Sequence, residues 1–155
     1  MNKQLSRNQQ GITIIEVLIA MLILAVGLLG MASLQVRAVS DTSNASYRSI
    51  AIYYANDMAD RMRANGDGVT NGSYNSVAGA AQAAACLTVA GCSSAQMAGH
   101  DKWEWLQNLG RSLPAGTGTL AVNGGVYTVN VSWTDRVAQG ATSTATSTIA
   151  LSFEP

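Results

Sequence analysis

Gly11-Ile12-Thr13-Ile14-Ile15-Glu16 leads straight into VLIAMLILAVGLLGMASLQV, residues 17–36, in which no side chain is charged. At ~1.5 Å of rise per residue, a helix over that run is about 30 Å long, the thickness of a bilayer's hydrocarbon core. The run therefore reads as a transmembrane segment. Ahead of it lies a short polar leader, Met1 to Gln10, which carries Lys3 and Arg7 and gives way to Gly11. A secretory signal peptide has its small-residue cleavage site after the apolar core, whereas the plausible processing point here comes before it. A cut after Gly11 leaves the apolar segment on the mature chain, with the Glu16 carboxylate at the lip of the membrane run.

At 155 residues the chain has room for one globular domain beyond that helix. Nine basic and nine acidic side chains balance, and loss of Lys3 and Arg7 with the leader leaves seven against nine. A slightly acidic mature protein makes nucleic acid an unlikely partner. By the positive-inside tendency, Lys3 and Arg7 hold the N-terminus in the cytoplasm, so everything after about residue 37 lies across the membrane. Cys86 and Cys92 fall in that exported portion, where oxidising conditions favour a disulfide over free thiols. A C-x5-C pair with His100 as its one helper does not make a metal site. The loop they enclose is short, so a bridge there sets local shape more than global stability.

Past Val36 the helical pattern continues and turns amphipathic. Val39, Tyr47, Ile50 or Ala51, Tyr54, Met58 and Met62 recur on one face, while Asp41, Asn44, Arg48, Asn56, Asp60 and Arg63 take the other. Asp57 and Arg61 stand at the favourable four-residue spacing. The pattern predicts one helix from about Ile12 to Ala64, ended by Asn65-Gly66. Residues 66–85 are rich in Gly, Asn, Ser and Ala and read as a loop with a helical turn near Ala80 to Ala85. Met97, Trp103, Leu106, Leu109 and Leu113 then mark a short second helix, closed by Pro114 and Gly116. On this stripe Trp103 is core, as is Trp133 further on, and Trp105 is the candidate for exposure. Leu120 and Val122, the turn residues Asn123-Gly124-Gly125, and the alternation of Tyr127, Val129, Val131 and Trp133 predict a hairpin with one buried face. Ile149, Leu151 and Phe153 supply a last strand after a Gly- and Thr-rich connection near residues 138–145. The fold class is α+β: a long N-terminal helix, transmembrane then amphipathic, packed on a small antiparallel sheet of three or four strands with a short extra helix.

The string GITIIEVLIAMLILAVGLLG resembles the N-terminus of type IV pilins and pseudopilins. "GLLGMASLQ" at 27–35 and "DMADRMRAN" at 57–65 are most similar to minor pilins of the PilV kind. The resemblance implies a pilin-like fold and a cut by a prepilin peptidase between Gly11 and Ile12, followed by N-methylation of Ile12. Family members usually begin the mature chain with Phe, and major pilins tend to place a proline further along the helix; this chain has Ile12 and no proline before Pro114. Organised this way, residues 1–11 are the leader, 12–36 the transmembrane half of the long helix, 37–65 its amphipathic half, and 66–155 a periplasmic head. The implied partners are other minor pilins, the major pilin, the inner-membrane assembly platform and the prepilin peptidase. No cofactor is implied.

Glu16 admits two readings. In the first helical turn its charge suits the positive end of the helix dipole; by the resemblance, it pairs with the free N-terminal amine of a neighbouring subunit during assembly, which would offset the cost of an acid at the membrane edge. Gly27 and Gly30 each cost about 1 kcal/mol against alanine inside a helix. Their spacing is not that of a GxxxG dimer face, so they are either tolerated by a membrane helix or soften it where major subunits use proline. The usual pilin disulfide loop is longer and nearer the C-terminus than Cys86–Cys92. No catalytic residue is expected: His100 beside Asp101 reads as a surface histidine, and no nucleophile motif accompanies it. No metal site is expected either, with Asp101, Glu104 and Asp135 scattered. A secretion pseudopilin shares every N-terminal feature, and an adhesive pilus-tip head is the rival outside that machinery. Lys102, Arg111 and Arg136 are almost the only basic residues such a head could offer.

Overall fold

The computed structural model describes residues 11–136 and 145–155. The leader with Lys3 and Arg7, and most of the Gly- and Thr-rich connection, lie outside the described residues. In chain order the elements are α1 (Ile14–Ala64), α2 (Gly66–Thr70), a 3-10 turn (Ala84–Leu87), α3 (Ser94–Ser112), β1 (Thr117–Asn123), β2 (Val126–Asp135) and β3 (Ala145–Phe153). Two compact units divide at Val39/Ser40.

In the first unit every residue from Gly11 to Val39 is exposed, including Ile14 at 82% and Leu29 at 77%. No soluble protein leaves so much contiguous apolar surface in water, so this half of α1 is built for lipid or for other subunits.

The second unit carries the core. Along α1 the buried residues are Ala51, Ala55, Met58, Ala59 and Met62, a stripe with the spacing that keeps one helical face inward. Alanine at three of the five lets the helix backbone come close, and the two methionines fill the remaining volume. The face is the expected one, with Val39 excluded: it is 61% exposed and belongs to the first unit.

The sheet is three-stranded and antiparallel in the order β1-β2-β3. The hairpin turns on Gly124 and Gly125, both at positive φ (58° and 88°) and flanked by the pair Asn123↔Val126. Two consecutive positive-φ residues are what a tight I′ turn demands, which is why glycine occupies both. On the central strand β2, Tyr127, Val129, Val131 and Trp133 are buried and their neighbours half-buried. Strand β3 begins earlier than its apolar alternation shows, because the main chain of Thr146 to Thr148, which carry small polar side chains, pairs with Ser132 to Thr134.

Two expectations need correction. Helix α1 stops at Ala64, but Gly66 is not at positive φ and opens α2 instead. Asn65 makes the break: its Oδ1 accepts from the Gly68 N–H (3.1 Å) while its Nδ2 donates to Tyr74 Oη (3.1 Å) and to the Ser94 carbonyl (2.8 Å). Second, Trp105 is fully buried and Trp103 only half-buried. The buried residues of α3 are Ala98, His100, Asp101, Lys102, Trp105 and Leu109, so three consecutive polar residues interrupt the apolar pattern and hide the true face. The Trp105 ring lies against Gly118 of β1, where a Cβ would come within 2.2 Å of it, and its Nε1 donates to the Tyr54 carbonyl at 2.9 Å.

Candidate functional site

The N-terminal motif sits where α1 begins. Gly11, Ile12 and Thr13 precede the helix and are exposed. The Glu16 N–H donates to the Thr13 carbonyl (3.1 Å) and lies 3.4 Å from its hydroxyl. Thr13 thereby stands at an N-cap with Glu16 three residues on, the order of a capping box. Glu16 borders a shallow apolar depression of about 360 Å³ formed by Ile12, Val17, Ala20, Met21 and Leu24. Among the described residues its carboxylate makes no ion pair. An exposed acid ringed by aliphatic side chains can take a cation brought by another molecule.

Gly27 and Gly30 lie within the unbroken α1, and a Cβ at either would meet nothing within 4 Å. Among the described residues no contact requires glycine at these two positions.

Cys86 and Cys92 are bonded, with Cα atoms 4.8 Å apart. The ring they close displays Leu87 and Val89, 66% and 109% exposed. It leads directly into α3, whose start is fixed by a capping box in which Ser93 and Gln96 bond reciprocally. The bridge thus anchors the loop at a helix start, in keeping with a role in local shape.

The head's titratable residues converge where α1, α3 and the intervening loop meet. Arg61 bonds Asp57 (3.0 Å), Asp101 (3.3 Å) and Glu104 (2.6 Å). Asp101 also accepts from Tyr74 Oη at 2.5 Å. Asp101 and Glu104 are therefore not scattered, since one helical turn of α3 brings both to Arg61; Asp135 stands apart, accepting from Trp133 Nε1 and Ser147 Oγ. Burial works against the Arg61 charge, but the Glu104 hydrogen bond and the three carboxylates outweigh it and raise its pKa. Burial and the bond to Asp101 raise the Tyr74 phenol well above its ordinary value. The guanidinium occupies the centre of these acids, and among the described residues no group of three His, Cys, Asp or Glu side chains is placed to hold a metal.

Lys102, one of the few basic residues of the head, is buried and so is not available to an exposed basic patch. Its Nζ donates to the carbonyls of Ser73 (2.8 Å), Ser76 (3.4 Å) and Ala78 (2.6 Å), closing a loop that has little secondary structure of its own. Burial lowers its pKa. His100, expected at the surface, is 9% exposed: Nδ1 accepts from the Ala83 N–H at 3.3 Å and the ring stacks on Trp103. It braces the loop before the disulfide. The sequence signalled Asp57–Arg61 by spacing; the rest of this network depends on which face of α3 turns inward.

Two family models match the chain. One, described as the prokaryotic N-terminal methylation motif, covers residues 6–32; the other, described as type IV pilin Tt1218, covers residues 33–103. No curated protein and no solved structure matches it.

Proposed function

The chain belongs to the type IV pilin family, and on that premise we propose that it is a minor pilin of the PilV kind, a membrane-anchored structural subunit that helps start or support a pilus with other minor pilins. The family is one of structural subunits, and the subunit acts by binding.

The observation that carries this reading is the union, in one helix, of a wholly unburied apolar half and a half that builds the core of a self-contained head. The first needs lipid or packed helices around it, and the second does not. In this reading a prepilin peptidase removes residues 1–11, Ile12 is N-methylated, residues 12–36 hold the subunit in the inner membrane, and residues 37–65 carry the periplasmic head. Glu16 receives the N-terminal amine of a neighbouring subunit as the helices leave the lipid, with Ile12 and Val17 to Leu24 excluding water from the pair. Gly27 and Gly30 let the helix loosen as it packs, which fits the finding that no contact among the described residues requires them. The partners are sibling minor pilins, the major pilin and the assembly platform.

The test is mass spectrometry of the mature N-terminus together with co-purification of partner subunits from membranes. The expected result is a chain starting at N-methyl Ile12, and a Glu16→Ala variant that is cut normally but no longer co-purifies. Normal assembly of Glu16→Ala overturns the docking role, and an uncut chain overturns the processing.

A further inference from the structure

Strand β3 is an edge. It pairs with β2 on one side and, among the described residues, with nothing on the other. Sheet edges that remain alone in solution are shortened, bulged, or studded with lysine or proline, because an unpaired row of N–H and C=O groups recruits strands. β3 has none of these protections: its nine residues, ATSTIALSF, include no charge and no proline, and nine consecutive pairs with β2 run without a bulge. The core face is also unfinished here. Val129 and Val131 on β2 are fully buried, while their partners Leu151 and Ile149 on β3 are only half-buried.

Beside this edge, between α1 and the sheet, is a cleft of about 260 Å³ lined by Asn44, Arg48, Trp133, Asp135, Ser147 and Ile149. Asp135 is already engaged by Trp133 and Ser147. The exposed Arg48 makes no ion pair among the described residues. A strand added to β3 would run past this guanidinium.

We propose that the free edge of β3 receives an extended segment of a different subunit as a fourth strand, apolar at alternate positions on the core side and carrying a carboxylate that meets Arg48. Strand addition supplies affinity through main-chain bonds and specificity through alternate side chains, which suits a head that must choose its neighbour. A second copy of this chain fits less well, because its own β3 brings nine uncharged residues and no carboxylate to Arg48. The proposal rests on the minor-pilin reading for the existence of neighbouring subunits, and the experiment separates the two.

A photo-crosslinking amino acid is placed singly at Thr148, Ala150 or Leu22 of the full-length chain, in cells that express the pilus proteins. Thr148 and Ala150 report on the edge, and Leu22 on the membrane helix. The expected result is that both edge positions capture the same partner, mapped to one extended segment with an acidic residue. Arg48→Glu then lowers edge capture at least about fivefold, the factor of a ~1 kcal/mol pair, and leaves Leu22 capture unchanged. Arg48→Lys retains most of it. Capture at Leu22 with none at the edge, or edge capture of a second copy or of dispersed surfaces, overturns strand addition and spares the pilin reading. Edge capture unaffected by Arg48→Glu overturns the charge pairing, and silence at all three positions overturns both proposals.

Discussion

Arg61→Met removes the cation that joins three carboxylates at the junction of α1 and α3 while keeping a side chain of similar reach along the helix. Asp57, Asp101 and Glu104 then lose their partner together, and three carboxylates gathered around one side chain begin to repel. Side-chain exposure decides the magnitude. Asp101 is 11% exposed and cannot turn to water, whereas Asp57 at 24% and Glu104 at 43% can. Breaking a fully buried pair costs about 3–5 kcal/mol and breaking an exposed one about 0–1 kcal/mol. One nearly buried and two half-solvated partners place the loss at about 2–3 kcal/mol, or roughly 8–12 °C in the head's melting temperature. The assay is a urea titration of the full-length chain in mild detergent, followed by fluorescence of the buried Trp105. Adding Asp101→Asn to Arg61→Met removes the least hydrated of the stranded charges and is expected to return about 1 kcal/mol. A loss below about 0.5 kcal/mol in Arg61→Met, or further destabilisation in the double variant, refutes the view that this cluster holds the helices together.

Gly118→Ala drives a methyl group into the Trp105 ring, which is packed by Leu109 and cannot retreat; thermal unfolding is expected to show a loss of about 1–3 kcal/mol, and a neutral outcome would show that α3 sits more loosely on β1 than the geometry states. The raised pKa of Tyr74 means that the folded state keeps a proton which the unfolded state gives up above about pH 10. Its stabilisation is therefore complete below pH 10 and falls as pH rises, by at most about 1.4 kcal/mol per pH unit. The burial-lowered pKa of Lys102 acts in the opposite sense, so stability curves are compared between the native chain and Tyr74→Phe, whose decline above pH 10 is expected to be shallower; identical slopes would contradict the assignment. Cys86→Ala with Cys92→Ala is expected to cost no more than about 2–3 kcal/mol, because the closed loop is short. It should speed hydrogen exchange in the turn at Ala84–Leu87, and slow exchange there would refute a shape-setting role.

The parts of this fold that were legible in the sequence are those where one side chain's surroundings follow from its own position. The strict alternation of Tyr127, Val129, Val131 and Trp133 gives the sheet face, two successive glycines give the hairpin, and the charge-free run after Glu16 gives the unburied apolar half of α1. What could not be read depends on partners distant in sequence. Lys102 looks like a surface lysine until the loop carbonyls of Ser73, Ser76 and Ala78 fold over it, and His100 until Ala83 reaches its ring. Asp101 and Lys102 lie on the inward face of α3 because each has bonds to receive it there. A pattern scored on hydrophobicity alone turns that helix by about one residue and exchanges Trp103 for Trp105. The same limit applies to the break at Asn65, where three bonds from one amide outweigh the glycine beside it.

These polar contacts also explain how a small, weakly protected sheet is held by one long helix. The α1 stripe is alanine-rich and offers modest apolar area at Ala51, Ala55 and Ala59. Directional bonds fix its register instead, and they lie at both ends of the helix portion within the head. Asn44 Oδ1 accepts from the Arg136 N–H at 2.9 Å while its Nδ2 donates to the Arg136 carbonyl at 3.0 Å. At the far end Arg61 and Asn65 bind α3 and the loop. Between these clamps Trp105 donates to the Tyr54 carbonyl, and Tyr54 shares a hydrogen bond with Ser112. A helix portion tied at three levels within the head cannot slide along the sheet, because a shift of one turn would break the bonds of Asn44, Tyr54 and Arg61 together.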